Sequence, residues 1–220
     1  MQLVSIVLSS MIAWVPPAEH RHLEPPAVTE RRYEEIAEVI ASVVAEAQGE
    51  RIVGSAELEA LLLASVAGAE SHYAARVEDC KGRHAAYSLW QIEGHRKEAC
   101  AGRRAASKLA LAMIRESFRV CAALPFLDRL AFYTDGRCER HWWRSRSRVT
   151  RAVDVWRARA ESHALREPAT PSAPLGFTRM LHASLGSTRE RSARLASTRP
   201  AKRRAPIARR GAAGTARNDG

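Results

Sequence analysis

The most restrictive feature of this chain is the run Leu58 to Val66 (LEALLLASV), in which apolar side chains occupy almost every position. Ser55 stands ahead of it where an N-cap belongs, and Glu57 and Glu59 fall in the first turn, where carboxylates favour the positive end of the helix dipole. The segment therefore predicts a helix, and one with so little polar surface belongs in an interior. It runs on into Ala69-Glu70-Ser71-His72, so a carboxylate closes a helix otherwise suited to burial. A carboxyl group among apolar side chains is hard to ionise and holds its proton toward neutral pH. Leu62, Leu63 and Val66 on the approach, and Tyr73 just beyond, supply such surroundings and make Glu70 the first candidate for acid chemistry.

The neighbouring segments carry helical periodicity. Tyr33, Ile36, Val39, Ile40, Val43 and Val44 recur every three or four residues and stop before Gly49. Leu109, Ala110, Met113, Ile114, Ser117 and Cys121 mark a longer helix from about Ala105. After Pro125 a further helix is expected from Leu127 to Tyr133, closed by Gly136. Val149, Val153 and Trp156 predict a last one between Arg148 and Ala160. The stretch Cys80 to Ala101 mixes Gly, His, charge and isolated aromatics without a period, and reads as an irregular loop or short hairpin holding Ser88-Leu89-Trp90-Gln91-Ile92. Neither an internal repeat nor a sustained strand alternation occurs, so the fold class is mainly α.

Composition divides the chain. Among 220 residues, 35 Lys and Arg face 24 Asp and Glu, and the net charge of +11 comes mainly from the C-terminal part. Arg199 to Arg210 holds nearly all its charge in one sign and cannot offset the entropy of ordering itself, so residues 164–220 read as a disordered basic tail. Such a tail attracts polyanions in general, but without interleaved aromatics it signals no specific nucleic-acid site. Residues 30–163 form the folded domain, preceded by an apolar segment and linker at 1–29. Leu3 to Val15 has the length of a signal-peptide core and is too short to span a bilayer. It reads as an export signal or, with no basic residue ahead of it and a poor cleavage site after it, as a buried N-terminal helix or strand. Cys80, Cys100, Cys121 and Cys138 read as two bridges of an exported protein and permit three pairings. With His84 and His95 the first two match no paired zinc-ligand spacing. In His141-Trp142-Trp143-Arg144, adjacent rings point different ways, so one is expected inward and the other at the domain edge.

More specific than any single motif is their order: Glu70-Ser71 at a helix end, Ser88-Leu89-Trp90-Gln91-Ile92 after a loop, then Ala131-Phe132-Tyr133 ahead of Gly136. This order resembles the lysozyme-like lytic transglycosylases, in which a helix ending in Glu-Ser precedes a Gly-Leu-Met-Gln-Ile-like segment and an Ala-Tyr-Asn-x-Gly-like one. The resemblance runs from about Leu58 to Arg137, roughly a third of the chain. It implies a lysozyme-like helical domain that acts on peptidoglycan strands in the periplasm or outside the cell, with no metal or cofactor and no integral membrane span. Glu70 matches the catalytic acid, Ser71 the serine beside it, Gln91 the cleft glutamine and Tyr133 the cleft tyrosine. Ser88 stands where the family has Gly, Trp90 where it has Met, and Thr134 where it has Asn. Serine still presents its backbone to substrate, and an indole offers a face to a sugar ring, but Thr134 lacks the carboxamide's paired donor and acceptor. Within such a domain, the easier closure of short loops favours Cys80 with Cys100 and Cys121 with Cys138, bracing both sides of the cleft.

The implied chemistry needs one carboxyl group, because the substrate supplies its own nucleophiles. Glu70 is expected to protonate the glycosidic oxygen and then to accept the proton of the muramic 6-hydroxyl as a 1,6-anhydro ring closes. Hydrolysis in the manner of goose-type lysozymes is the alternative, with Glu78, Asp79 or Glu93 as the second carboxylate that holds a water. A non-catalytic glycan-binding module is another. A helical nucleic-acid-binding protein would rest on tail charge alone.

Overall fold

A computed structural model describes residues 2–78, 80, 86–139 and 142–164; the basic tail beyond them, Asp79 and His84 lie outside the described residues. Along the chain run α1 (Gln2–Trp14), α2 (Pro26–Glu46), α3 (Ala56–Ser71) and the single turn α4 (Ala75–Glu78). A hairpin of β1 (Ala86–Tyr87) and β2 (Ile92–Glu93) follows, then α5 (Arg96–Ala99), α6 (Arg103–Val120), α7 (Ala131–Asp135) and α8 (Trp142–Ala164). Short 3-10 turns lie at Pro17–His20, Ile52–Gly54 and Phe126–Asp128. The fold is mainly helical.

α3 is the axis. Every residue from Leu58 to Gly68 is buried, and α1, α2, α6 and α8 pack against it. The Ser55 hydroxyl accepts the Leu58 N–H at 3.2 Å, the expected N-cap. An apolar helix surrounded on all sides needs that many neighbours, and each fully buried Leu contributes about 1.5–3 kcal/mol relative to an exposed one. One acid accompanies them: Glu59 accepts from Arg51 Nη1 at 3.0 Å, the Ile52 N–H at 2.9 Å, and Arg115 Nε and Nη2 at 2.8 Å each. Its role extends beyond the first-turn dipole to a tie between α3, the preceding turn and α6.

The apolar run at the N-terminus forms α1, which buries Ile6, Val7 and Met11 against α2 and α3. The linker read as extending to Thr29 ends earlier, because α2 already begins at Pro26, its proline set at the first helical position. Between the two helices His20 is buried, with Nε2 3.1 Å from the Tyr33 hydroxyl, which itself donates to the Val15 carbonyl at 3.1 Å. These buried polar contacts hold in place a segment whose composition reads as a linker.

The helix expected from Leu127 to Tyr133 is divided into a 3-10 turn and the five-residue α7, which Gly136 caps with φ of 67°. α8 starts earlier than its periodicity predicts and runs to Ala164. Val149, Ala152 and Val153 are buried against α3, and Ser65 Oγ donates to the Arg148 carbonyl at 2.9 Å. Asp128, itself buried, accepts the Arg146 fork at 3.1 and 2.8 Å. Trp143 is exposed, with the Arg144 guanidinium 5.1 Å from its ring centroid. Disulfides join Cys80 to Cys100 and Cys121 to Cys138, an arrangement compatible with an exported protein. No helix among the described residues is long and apolar enough to cross a membrane.

Candidate functional site

The end of α3 is shaped by a sharp reversal. His72 and Tyr73 both take left-handed backbone, with φ of 53° and 56°, and the Tyr73 ring folds back along the helix to lie fully buried. Its hydroxyl donates to the Ala64 carbonyl at 2.9 Å. Gly68 makes room for it: a Cβ there would stand 2.6 Å from the Tyr73 hydroxyl oxygen. Ser71 completes the turn, donating to the Ala67 carbonyl at 2.8 Å and accepting the Tyr73 N–H at 3.1 Å. Its hydroxyl is thus committed to the backbone, although Ser71 borders the cleft.

Glu70 emerges from this turn with its side chain 24% exposed. Burial pushes its carboxyl pKa up; Arg148 and Arg144 oppose the rise, and Asp135 and Glu93 reinforce it. The carboxyl is also paired, since Arg148 Nη2 donates to Glu70 Oε1 at 2.5 Å. Arg148 is 8% exposed, and its buried Nε and Nη1 meet no acceptor among the described residues. Beside the carboxyl opens a cleft of about 790 Å³, within the range of sites for organic ligands. Its lining includes Glu70, Gln91, Tyr87 and Arg76, together with His20 and Leu23 from the segment between α1 and α2.

The hairpin turn carries the second group of expected residues. Ser88 and Gln91 take φ of 65° and 47°, a conformation that favours glycine, and the Gln91 carboxamide donates to the Ser88 carbonyl at 2.8 Å. Tyr87 and Gln91 therefore border the cleft that Glu70 borders, while Ser88 is buried beneath the turn. Trp90 departs from the expectation of sugar stacking. Its ring is fully buried and its indole N–H donates to the Leu63 carbonyl at 2.9 Å, so it serves as the hairpin's anchor in the core. Tyr133 lies within electrostatic reach of Glu70: its hydroxyl donates to the Trp90 carbonyl at 2.7 Å, and burial, then the Glu70 charge, pushes its pKa up. It is not among the residues lining the 790 Å³ cleft.

The acids considered for holding a water differ in availability. Glu78 is held by the Arg103 fork at 2.6 and 2.9 Å, and Glu93 is exposed on β2. Asp135, not singled out from sequence, lies within electrostatic reach of Glu70. Arg148 was the more consequential omission. One signal for it exists, because it precedes Ala152 by one turn on the inward stripe of α8. The Thr134 hydroxyl stays within its own helix, 2.8 Å from Asp135 Oδ2 and 3.1 Å from the Ala131 carbonyl.

Among the described residues, no group of three His, Cys, Asp or Glu side chains is arranged to hold a metal ion. Compared with family models, curated proteins and solved structures, the chain matches none of them.

Proposed function

We propose that this chain is a peptidoglycan lytic transglycosylase with a lysozyme-like domain and Glu70 as its acid and base. The observation that carries the reading is a partly buried carboxyl with a raised pKa, at the end of a buried helix, sharing a cleft with Gln91. In the first half of the reaction the Glu70 O–H bond breaks and its proton goes to the glycosidic oxygen between N-acetylmuramic acid and N-acetylglucosamine. The anomeric C–O bond breaks with its electron pair on that oxygen, and the substrate's acetamido oxygen stabilises the cationic carbon. In the second half the muramic 6-hydroxyl oxygen bonds to that carbon and its proton returns to the Glu70 carboxylate, which closes the 1,6-anhydro ring.

The left-handed backbone at Ser88 supports the reading, since the family carries glycine at that position. With Trp90 inside, Tyr87 is the ring on the cleft wall for a sugar to meet, backed by the Arg96 guanidinium at 5.3 Å. An exported location, periplasmic or extracellular, accords with the two disulfides. The test is a digest of purified peptidoglycan analysed by mass spectrometry. Anhydro-muropeptides are expected. Reducing-end muropeptides would assign hydrolysis instead, with Glu93 or Asp135 holding the water, and intact glycan would leave a binding module.

A further inference from the structure

We propose that Arg148 is the positioning residue of this site, holding the Glu70 carboxyl toward the cleft and stabilising its ionised form after it has given up its proton. The inference rests on the acid/base reading of Glu70, and it concerns a residue 78 positions downstream, outside the motifs that suggested that reading.

Geometry carries it. The Arg148 backbone is pinned where α8 crosses α3, with its carbonyl accepting from Ser65 Oγ at 2.9 Å and Val149 buried beside it. The side chain is then held by its bond to Glu70 Oε1, while Nε and Nη1 are buried without an acceptor among the described residues. A buried guanidinium with two unmet donor atoms is costly to keep. Replacement by an apolar residue on the same inward stripe would remove that cost, so for the fold alone this arginine is a poor choice. For a carboxyl that acts first as an acid and then as a base it is a good one. Such a group works best with a pKa near the operating pH, and burial pushes it up. The charge of Arg148 opposes that rise and favours the carboxylate formed once the proton has left.

Other charges face the same carboxyl. Arg144 shares α8, Asp135 and the Tyr133 phenol come from α7, and Glu93 comes from β2. On the open side the cleft also holds His20, His72 and Arg76. Of the positive groups, Arg148 is the one bonded directly to Glu70.

The experiment uses the full chain with Arg148→Met and Arg148→Lys substitutions. Carbon-13 NMR follows the Glu70 carboxyl titration, and cleavage of peptidoglycan is followed against pH. In R148M the Glu70 midpoint is expected to rise by about one pH unit or more, a tenfold change in its ionisation equilibrium. The alkaline limb of the activity profile should move with it, kcat should fall more than KM rises, and R148K should lie between wild type and R148M in both readouts. An unmoved Glu70 midpoint in folded R148M, or in the equally uncharged Arg148→Gln should R148M fail to fold, overturns the proposal. The titration is independent of turnover: a shifted midpoint in a protein that leaves glycan intact would retain the charge coupling and refute the acid/base reading alone.

Discussion

Two carboxylates on α3, Glu59 and Glu70, lie about three turns apart and therefore near the same face of the helix, yet they meet opposite surroundings. Glu59 is fully buried, and its two oxygens accept four hydrogen bonds from Arg51, Ile52 and Arg115. Both guanidinium partners reach solvent at the edge of the domain, so the charge is neutralised where desolvation is incomplete. Glu70 is a quarter exposed, accepts, among the described residues, from the guanidinium of Arg148, and borders a cleft. Saturation makes the first a structural clasp. Under-coordination at an opening leaves the second able to exchange its proton. The pair teaches that burial of an acid does not by itself indicate chemistry; what matters is how many donors it has and whether a ligand can reach it.

The comparison is broken most directly by Glu70→Gln. Peptidoglycan cleavage should fall by more than about 10³-fold, because the amide keeps the shape and has no proton to deliver; the buried Arg148 guanidinium is then left facing a carboxamide, so a stability loss of about 1–3 kcal/mol should accompany it. In wild type, cleavage should decline as pH rises through the elevated Glu70 pKa, since the ionised carboxylate has nothing to give the leaving oxygen. Glu59→Gln should reverse the pattern. It leaves two guanidinium groups facing a carboxamide and should cost about 3 kcal/mol in a denaturant titration, with activity per folded molecule retained. Loss of turnover in folded E59Q would erase the distinction between the two acids.

Gly68→Ala probes the point where the helix serves both. The added methyl meets a buried phenol that has nowhere to move, so a loss of about 1–3 kcal/mol is expected. Activity should also drop, because the same phenol sets the turn that presents Glu70. Ser55→Ala, at the Glu59 end, removes the N-cap and should cost about 1 kcal/mol without changing the pH profile of cleavage.

Much of the helical scaffold was legible along the chain. The Ser55 cap, the continuous burial after it and the Gly136 terminus follow from neighbouring residues, because caps and periodicity act within one or two turns. The candidate acid was legible for the same reason, as a carboxylate at the end of an apolar helix. Less legible were the arginines of α8: its inward stripe through Val149 and Val153 could be read, but Arg146 and Arg148 are held by partners far away in sequence. Trp90 misled because an isolated aromatic in an irregular segment reads equally as a platform or an anchor; its buried N–H bonded to the Leu63 carbonyl makes it the anchor.

Local order, then, was written in adjacent residues: which stretches coil, where they begin and stop, and which acid stands at an apolar helix end. The partners of that acid, the inclusion of α1 in the core and the bond from Tyr133 to the Trp90 carbonyl came only with the packing of helices. The physical reason is that capping and periodicity are short-range, whereas desolvation and ion pairing depend on which distant surfaces meet, and no spacing along a chain encodes that meeting by itself.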